Sequence, residues 1–158
     1  MKAQDGIRGT WVTVMKGIIA RCGYRCNLCL AYNVNIRSVE DQKRVSDGWF
    51  RIYGFRIPPE DIQCDGCLTP DSENPRLIDI KCPVRPCVIE KKLKNCAYCD
   101  EYTCNKIEQR LVTYDSVQNH HKEPISKDDY ENFIKPYENR KTLDELRETL
   151  RKAQRCAK

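Results

Sequence analysis

Apolar positions recur at helical spacing in several separate stretches, divided by polar turns. Residues 37–53 place Val45, Trp49, Ile52 and Tyr53 on one face, which predicts an amphipathic helix. Ser38 stands where an N-cap is needed, with Asp41 three residues on; Gly54 ends the pattern and Pro58-Pro59 follow it. Trp49, Phe50 and Tyr53 would also suit a platform on which nucleic-acid bases stack, but the same spacing describes core packing, and that is the reading adopted. Residues 68–79 are polar and rich in turn formers, so they read as a loop. Short helices are expected over residues 87–94 and 104–112, the second capped by Thr103 with Ile107 and Leu111 facing inward. Ser126-Lys127-Asp128-Asp129 opens a further helix that Pro136 breaks. Thr142-Leu143-Asp144-Glu145 reads as a capping box for the last one, whose apolar stripe is Leu143, Leu146 and Leu150. The expected fold is therefore mainly α with irregular Cys-rich loops, a small metal-stabilised domain plus C-terminal helices. Its expected divisions are a leader over residues 1–14, a Cys-rich metal-binding domain over 15–116 and a helical tail over 117–158 that packs on the core.

Composition sharpens this picture. Hydrophobic residues make up 40% of the 158 and charged residues 32%, which leaves a modest core that gains from staples. The net charge of +5 is spread along the chain, and no basic arm or stripe of the kind that tracks a phosphate backbone stands out. A nucleic-acid partner is thus weakly supported and a protein partner is expected instead. No apolar run is long enough to span a bilayer. Residues 11–20 are mildly apolar after Lys2 and Arg8, but Lys16 interrupts them and no small-x-small cleavage site follows, so a cytoplasmic location is expected. Met15 is an alternative start.

The chemistry lies in the cysteines, of which there are 11. Cys22, Cys26 and Cys29 are spaced C-x3-C-x2-C, Cys64 and Cys67 C-x2-C, Cys82 and Cys87 C-x4-C, and Cys96, Cys99 and Cys104 C-x2-C-x4-C; Cys156 stands alone. Two intervening residues let a tight turn aim both sulfurs at one ion, about 2.3 Å away for zinc. Disulfides gain most when they close long loops, so such close pairs read as metal ligands. Gly23 and Gly66 supply the backbone freedom that a ligand turn needs, and Pro83 and Pro86 stiffen the Cys82–Cys87 loop. Cysteines at helix starts also gain from the positive end of the helix dipole. All-cysteine ligation suits Zn²⁺ and equally a [4Fe-4S] cluster, although the C-x2-C-x2-C-x3-C-P run of bacterial ferredoxins is absent. The first triplet matches the cluster spacing of radical S-adenosylmethionine enzymes over eight residues, yet a chain of this length has no room for their barrel. Ten ligands exceed two separate four-cysteine sites by two, so either two are spare or the sites share or add ligands.

Taken in order, CGYRCNLC at 22–29, CDGC at 64–67, CPVRPC at 82–87 and CAYCDEYTC at 96–104 resemble the Cys-rich family labelled domain of unknown function 3795. The resemblance runs from about residue 18 to about residue 111, and the stretch FIKPYENRKTLDELR at 133–147 is similar to tails in that family. It implies a metal-binding protein of bacteria and archaea with the ten grouped cysteines acting together, and it implies no activity.

The functional expectation is a small soluble protein with structural zinc held by Cys22, Cys26, Cys29, Cys64, Cys67, Cys82, Cys87, Cys96, Cys99 and Cys104, serving an interaction or regulatory role toward a protein partner. The alternative is an iron–sulfur protein in electron transfer or in maturation of another enzyme. A thiol enzyme needs a base beside its nucleophile, and the only histidines, His120 and His121, fall in a polar stretch outside the cysteine groups. No paired-carboxylate, Ser-His-Asp or phosphate-loop pattern is present, so a thiol or metal-dependent enzyme is the less favoured reading and a non-enzymatic protein the expected one.

Overall fold

The computed structural model describes residues 17–157; the leader expected over residues 1–14 lies outside them. Helix α1, Val39–Tyr53, forms where the periodicity places it. The Ser38 hydroxyl accepts from the Asp41 amide, Glu40 and Asp41 put negative charge in the first turn, and Gly54 closes the helix at φ 77° in the left-handed region. Val45, Trp49 and Ile52 are buried and Tyr53 is half-buried, whereas Phe50 is exposed, so the three rings do not share one face.

The shorter helices deviate from expectation for local reasons. Helix α2 is Val84–Glu90 and starts before Cys87, because Pro83 and Pro86 both fit the first turn, where a missing N–H costs nothing. Helix α3 is Asn105–Glu108; Cys104, not Thr103, occupies its N-cap. Helix α4, Tyr114–Gln118, opens on a reciprocal cap between Thr113 and Ser116. Helix α5, Lys127–Asp129, is capped by Ser126 and continues as a π-helical turn, Tyr130–Ile134, and a 3-10 turn, Lys135–Tyr137, so Pro136 redirects the chain after the helix has already widened. Helix α6, Asn139–Cys156, begins three residues before the expected capping box. Thr142 is inside it and its hydroxyl donates back to the Glu138 carbonyl. Among the described residues there is no strand, only two isolated bridges, Ile19 with Arg25 and Tyr32 with Cys64. The fold is mainly α, with the cysteines carried largely by irregular loops.

Two apolar clusters form the interior. The first joins Ala20, Cys22, Val84, Val88, Cys96, Ala97 and Ile107 to Leu143 and Leu146 of α6. The second packs Val45, Trp49 and Ile52 of α1 against Ala31, Ile62, Val117, Phe133 and Ile134. Asn139 ties the start of α6 to both ends of the Cys-rich stretch. Its amide nitrogen donates to the Cys22 carbonyl at 2.8 Å and the Arg110 carbonyl at 2.9 Å, and its oxygen accepts from the Val112 amide at 2.8 Å. Leu143 then sits so close to the Cys22 turn that a methyl group on Gly23 would meet its side chain at 2.6 Å. Among the described residues, no helix is long and apolar enough to cross a membrane.

Helix α1 meets the Phe133 ring at Gly48, where a Cβ would lie 2.0 Å from the ring. Alanine at position 48 gains about 1 kcal/mol in helix propensity but overpacks a ring that is 2% exposed, at a cost of about 1–3 kcal/mol. Gly48→Ala is therefore expected to lower the urea midpoint at unchanged slope, and an unchanged or raised midpoint would show that Phe133 has room to move.

Candidate metal centre

The ten grouped cysteines are brought together as six and four, and the division runs through the CPVRPC loop. Cys82 precedes α2 while Cys87 lies within it, with buried Val84 between them. Cys82 joins Cys22, Cys26, Cys29, Cys64 and Cys67 in the wall of one chamber. Cys87 joins Cys96, Cys99 and Cys104 around a second, smaller cavity. Cys156 is exposed near the end of α6, apart from both. All 11 cysteines are free thiols.

The four-cysteine cavity has a volume of about 20 Å³. That is little more than the space one water occupies, a size suited to an ion and closed to larger guests. Its walls come from three elements. Helix α2 supplies Cys87; the 3-10 turn Cys96–Tyr98, capped by Asn95, supplies Cys96 and leads directly to Cys99; the N-cap of α3 supplies Cys104. The Cys96 amide donates to the Arg21 carbonyl at 3.0 Å, and the Arg147 guanidinium of α6 bonds the carbonyls of Ala97 at 3.1 Å and Cys99 at 2.8 Å. Lys91 Nζ lies 3.6 Å from Cys99 Sγ and also pairs with Glu101. Burial pushes the Cys96 thiol up to about 12, and Cys104, Cys99, Cys87 and, from the wall of the other chamber, Cys82 add to the effect through their charges.

The six-cysteine chamber is far larger, about 460 Å³, with Trp49, Tyr53, Phe55 and Tyr137 in its apolar wall. Its sulfurs are held by local turns. In Cys64-Asp65-Gly66-Cys67 the Gly66 amide reaches Cys64 Sγ at 3.4 Å, made possible by φ +85° at Gly66. Asp65 anchors that turn by accepting from Asn33 Nδ2 and from the Arg76 amide, each at 2.8 Å. The Cys64 amide donates to the Ala31 carbonyl at 2.9 Å, which sets Cys64 beside the Cys29 turn. The Arg21 amide donates to Cys67 Sγ at 3.1 Å, which sets Cys67 beside Cys22.

Donors converge on these sulfurs more than neutral thiols require. The Trp49 indole N–H donates to the Tyr137 hydroxyl at 3.1 Å, and that hydroxyl stands 3.1 Å from Cys29 Sγ. An indole is a donor only, so the Tyr137 oxygen accepts from it, and in the Tyr137–Cys29 contact either partner can donate. Burial still raises the Cys29 thiol, while Tyr137 and the backbone of Ala31 and Tyr32 pull it back. Burial dominates at Cys22 and Cys26 as well, the latter pushed up to about 12. Beside Cys67, Arg21 donates from one terminal nitrogen to the carbonyls of Leu93 and Lys94, yet its Nε is buried without a partner. Arg85 is bonded to the Cys67 carbonyl at 3.0 Å, and both guanidinium groups lower the Cys67 thiol against the dominant rise from burial. The sulfurs themselves are met by the Arg21 and Gly66 amides and the Tyr137 hydroxyl, while Arg85 is spent on the carbonyls of Cys67 and Thr69 and on Asp71. Even so, among the described residues no three Cys, His, Asp or Glu side chains are drawn in closely enough to hold an ion as they stand.

Tyr137, Arg21 and Arg85 were not singled out from the sequence. Arg21 adjoins Cys22 and Arg85 lies inside CPVRPC, so proximity to the motifs was the available signal. Tyr137 had none, being 108 positions from Cys29. The histidines take no part: His120 Nδ1 faces the Ser116 carbonyl and His121 Nε2 the Ile52 carbonyl, each at 2.8 Å. Tyr137→Phe is expected to lower the melting temperature by several degrees, since an unpaired buried indole N–H costs about 1–3 kcal/mol. Calorimetry that finds no change would mean that the indole has found another acceptor.

No curated protein and no solved structure matches the chain. The model of a family described as a protein of unknown function, DUF3795, matches residues 18–109, a span that takes in all ten grouped cysteines. The motifs that pointed there are those that build the two cavities, and the chain belongs to this family.

Proposed function

We propose that the protein binds metal through its ten grouped cysteines, and that Cys87, Cys96, Cys99 and Cys104 hold a structural Zn²⁺. The observation that carries this reading is the convergence of those four cysteines, from three separate elements, on an ion-sized cavity. Four thiolates complete the tetrahedral shell that structural zinc prefers, with no open position for a substrate. Binding draws the sulfurs in and joins α2, the Cys96–Tyr98 turn and α3, so metal binding supplies folding energy. The second, six-cysteine set takes a further centre. The role proposed for this core is interaction with a protein partner. One observation favours the iron–sulfur alternative at the six-cysteine set alone: the chamber there is large enough for a cluster.

Elemental analysis of the full chain prepared without oxygen tests the reading, with stoichiometric zinc expected. Cys87→Ser and Cys99→Ser should each remove the zinc of the small cavity and lower stability, read by circular dichroism; variants that keep every ion and their melting temperature would overturn the assignment. Cys156→Ser should change neither.

Zinc binding should also depend on pH with a definite sign. A buried thiol pushed up to about 12, as at Cys96, is protonated at neutral pH and must lose its proton to ligate. Affinity is therefore expected to rise with pH and to fall on acidification, with protons released on binding. Titration calorimetry in buffers of different ionisation enthalpy checks this, and a pH-independent affinity would contradict it.

A further inference from the structure

The larger chamber has a size and a lining that its cysteines do not account for. Its volume is about 460 Å³, against about 20 Å³ for the ion-sized cavity. Among the described residues no three potential ligands close on one point, so the chamber stays open as it stands. Aromatic rings gather in its wall around Tyr137, with the centroids of Tyr24 at 5.3 Å, Tyr53 at 6.3 Å and Trp49 at 6.4 Å. Phe55 stacks on Tyr53 at 6.0 Å and tilts against Trp49 at 5.6 Å. It is 47% exposed, so it stands where the chamber meets solvent. The polar ends of these rings are spent inside the protein. The Tyr24 hydroxyl donates to the Arg110 carbonyl at 3.3 Å, the Tyr53 hydroxyl to the Phe133 carbonyl at 2.6 Å and the Trp49 indole to Tyr137. The cations of the wall are engaged as well. Arg110 pairs with Asp79, Arg85 with Asp71 and two carbonyls. Arg21 directs a terminal nitrogen to the carbonyls of Leu93 and Lys94, outside the wall, and its unpartnered Nε is sealed from solvent. The free thiols between these groups behave as small hydrophobes.

We propose that this chamber is a binding site for an uncharged, ring-containing apolar molecule that lies against Trp49, Tyr53 and Phe55. The inference goes beyond the metal-binding reading and does not depend on it, since an ion at the sulfurs would fill only part of the space. Small-molecule sites are concave, of roughly 300–1,000 Å³, and lined mainly by apolar and aromatic side chains. A guest with rings of its own gains offset-stacked or edge contacts with those of the wall. It forfeits no hydrogen bond, because the ring hydroxyls and the indole are already paired. A charged group entering the same space would give up its water and find the cations engaged.

The test is a fluorescence titration of the full chain with N-phenyl-1-naphthylamine, a neutral apolar probe. Its sulfonated analogue, 8-anilino-1-naphthalenesulfonate, is the charged control. One neutral probe per chain is expected, with enhanced probe emission, and the sulfonate should bind about tenfold more weakly or worse because its charge is desolvated. Ile78→Trp enlarges a half-buried residue of the wall and should abolish binding. Phe55→Ala should weaken it severalfold, and because Phe55 is exposed this variant decides the matter if Ile78→Trp fails to fold. Absence of binding, equal or tighter binding of the sulfonate, or binding that neither variant weakens would each overturn the proposal. Full displacement of the probe by added Zn²⁺ would make the chamber a metal site alone, overturning the ligand site while leaving zinc at Cys87, Cys96, Cys99 and Cys104 intact. Probe binding by a chain that takes up no metal would overturn the metal reading and leave the ligand site standing.

Discussion

The side chain of Asn139 is the joint on which this architecture turns. It is fully buried and spends both amide hydrogens and its oxygen on backbone groups from the Cys22 turn and the segment that follows α3. An amide out of water is tolerable only when its bonds are made, and here satisfaction requires three parts of the chain to meet at one point. Helix α6 starts at that point and lays Leu143 and Leu146 over the cluster that contains Cys22, Cys96 and Val84. The turn carrying the first cysteine triplet is thus held by residues more than a hundred positions away. The family match ends at residue 109, yet the packing that surrounds its cysteines is completed by α6.

The cysteine groups are placed where an apolar interior would otherwise continue. Both cavities border buried apolar residues, and burial is the leading influence on every shifted thiol. Sulfur tolerates such surroundings when neutral, but thiolates do not without cations or donors nearby. The guanidinium groups of Arg21 and Arg85, the ammonium of Lys91, and the Tyr137 hydroxyl supply these. Burial nevertheless outweighs them at each shifted thiol, so the neutral form is the one that this interior favours as it stands.

Much of this was legible in the sequence, and the parts that were not share a cause. The α1 pattern and its Ser38 and Gly54 signals were local, and they were sufficient. Thr142 carried an equally local signal that lost: Asn139 gains three buried bonds by opening α6 earlier, and tertiary satisfaction outweighs a cap. Thr103 lost the α3 cap to Cys104. The four motifs were visible as spacings, but their grouping was not, because spacing gives no hint that Cys82 and Cys87 face different cavities across the start of α2. That division depends on where a seven-residue helix begins, which the two prolines of CPVRPC set.

The hydrogen-bonded row Trp49, Tyr137, Cys29 has a practical meaning beyond packing. An indole that gives its proton to a hydroxyl, which in turn leans on a sulfur, has an excited state coupled to the condition of that sulfur. Trp49 is thereby an intrinsic fluorophore at the large chamber, so once Trp11 is replaced by phenylalanine its emission can report whether Cys29 is a thiol, a thiolate or a ligand.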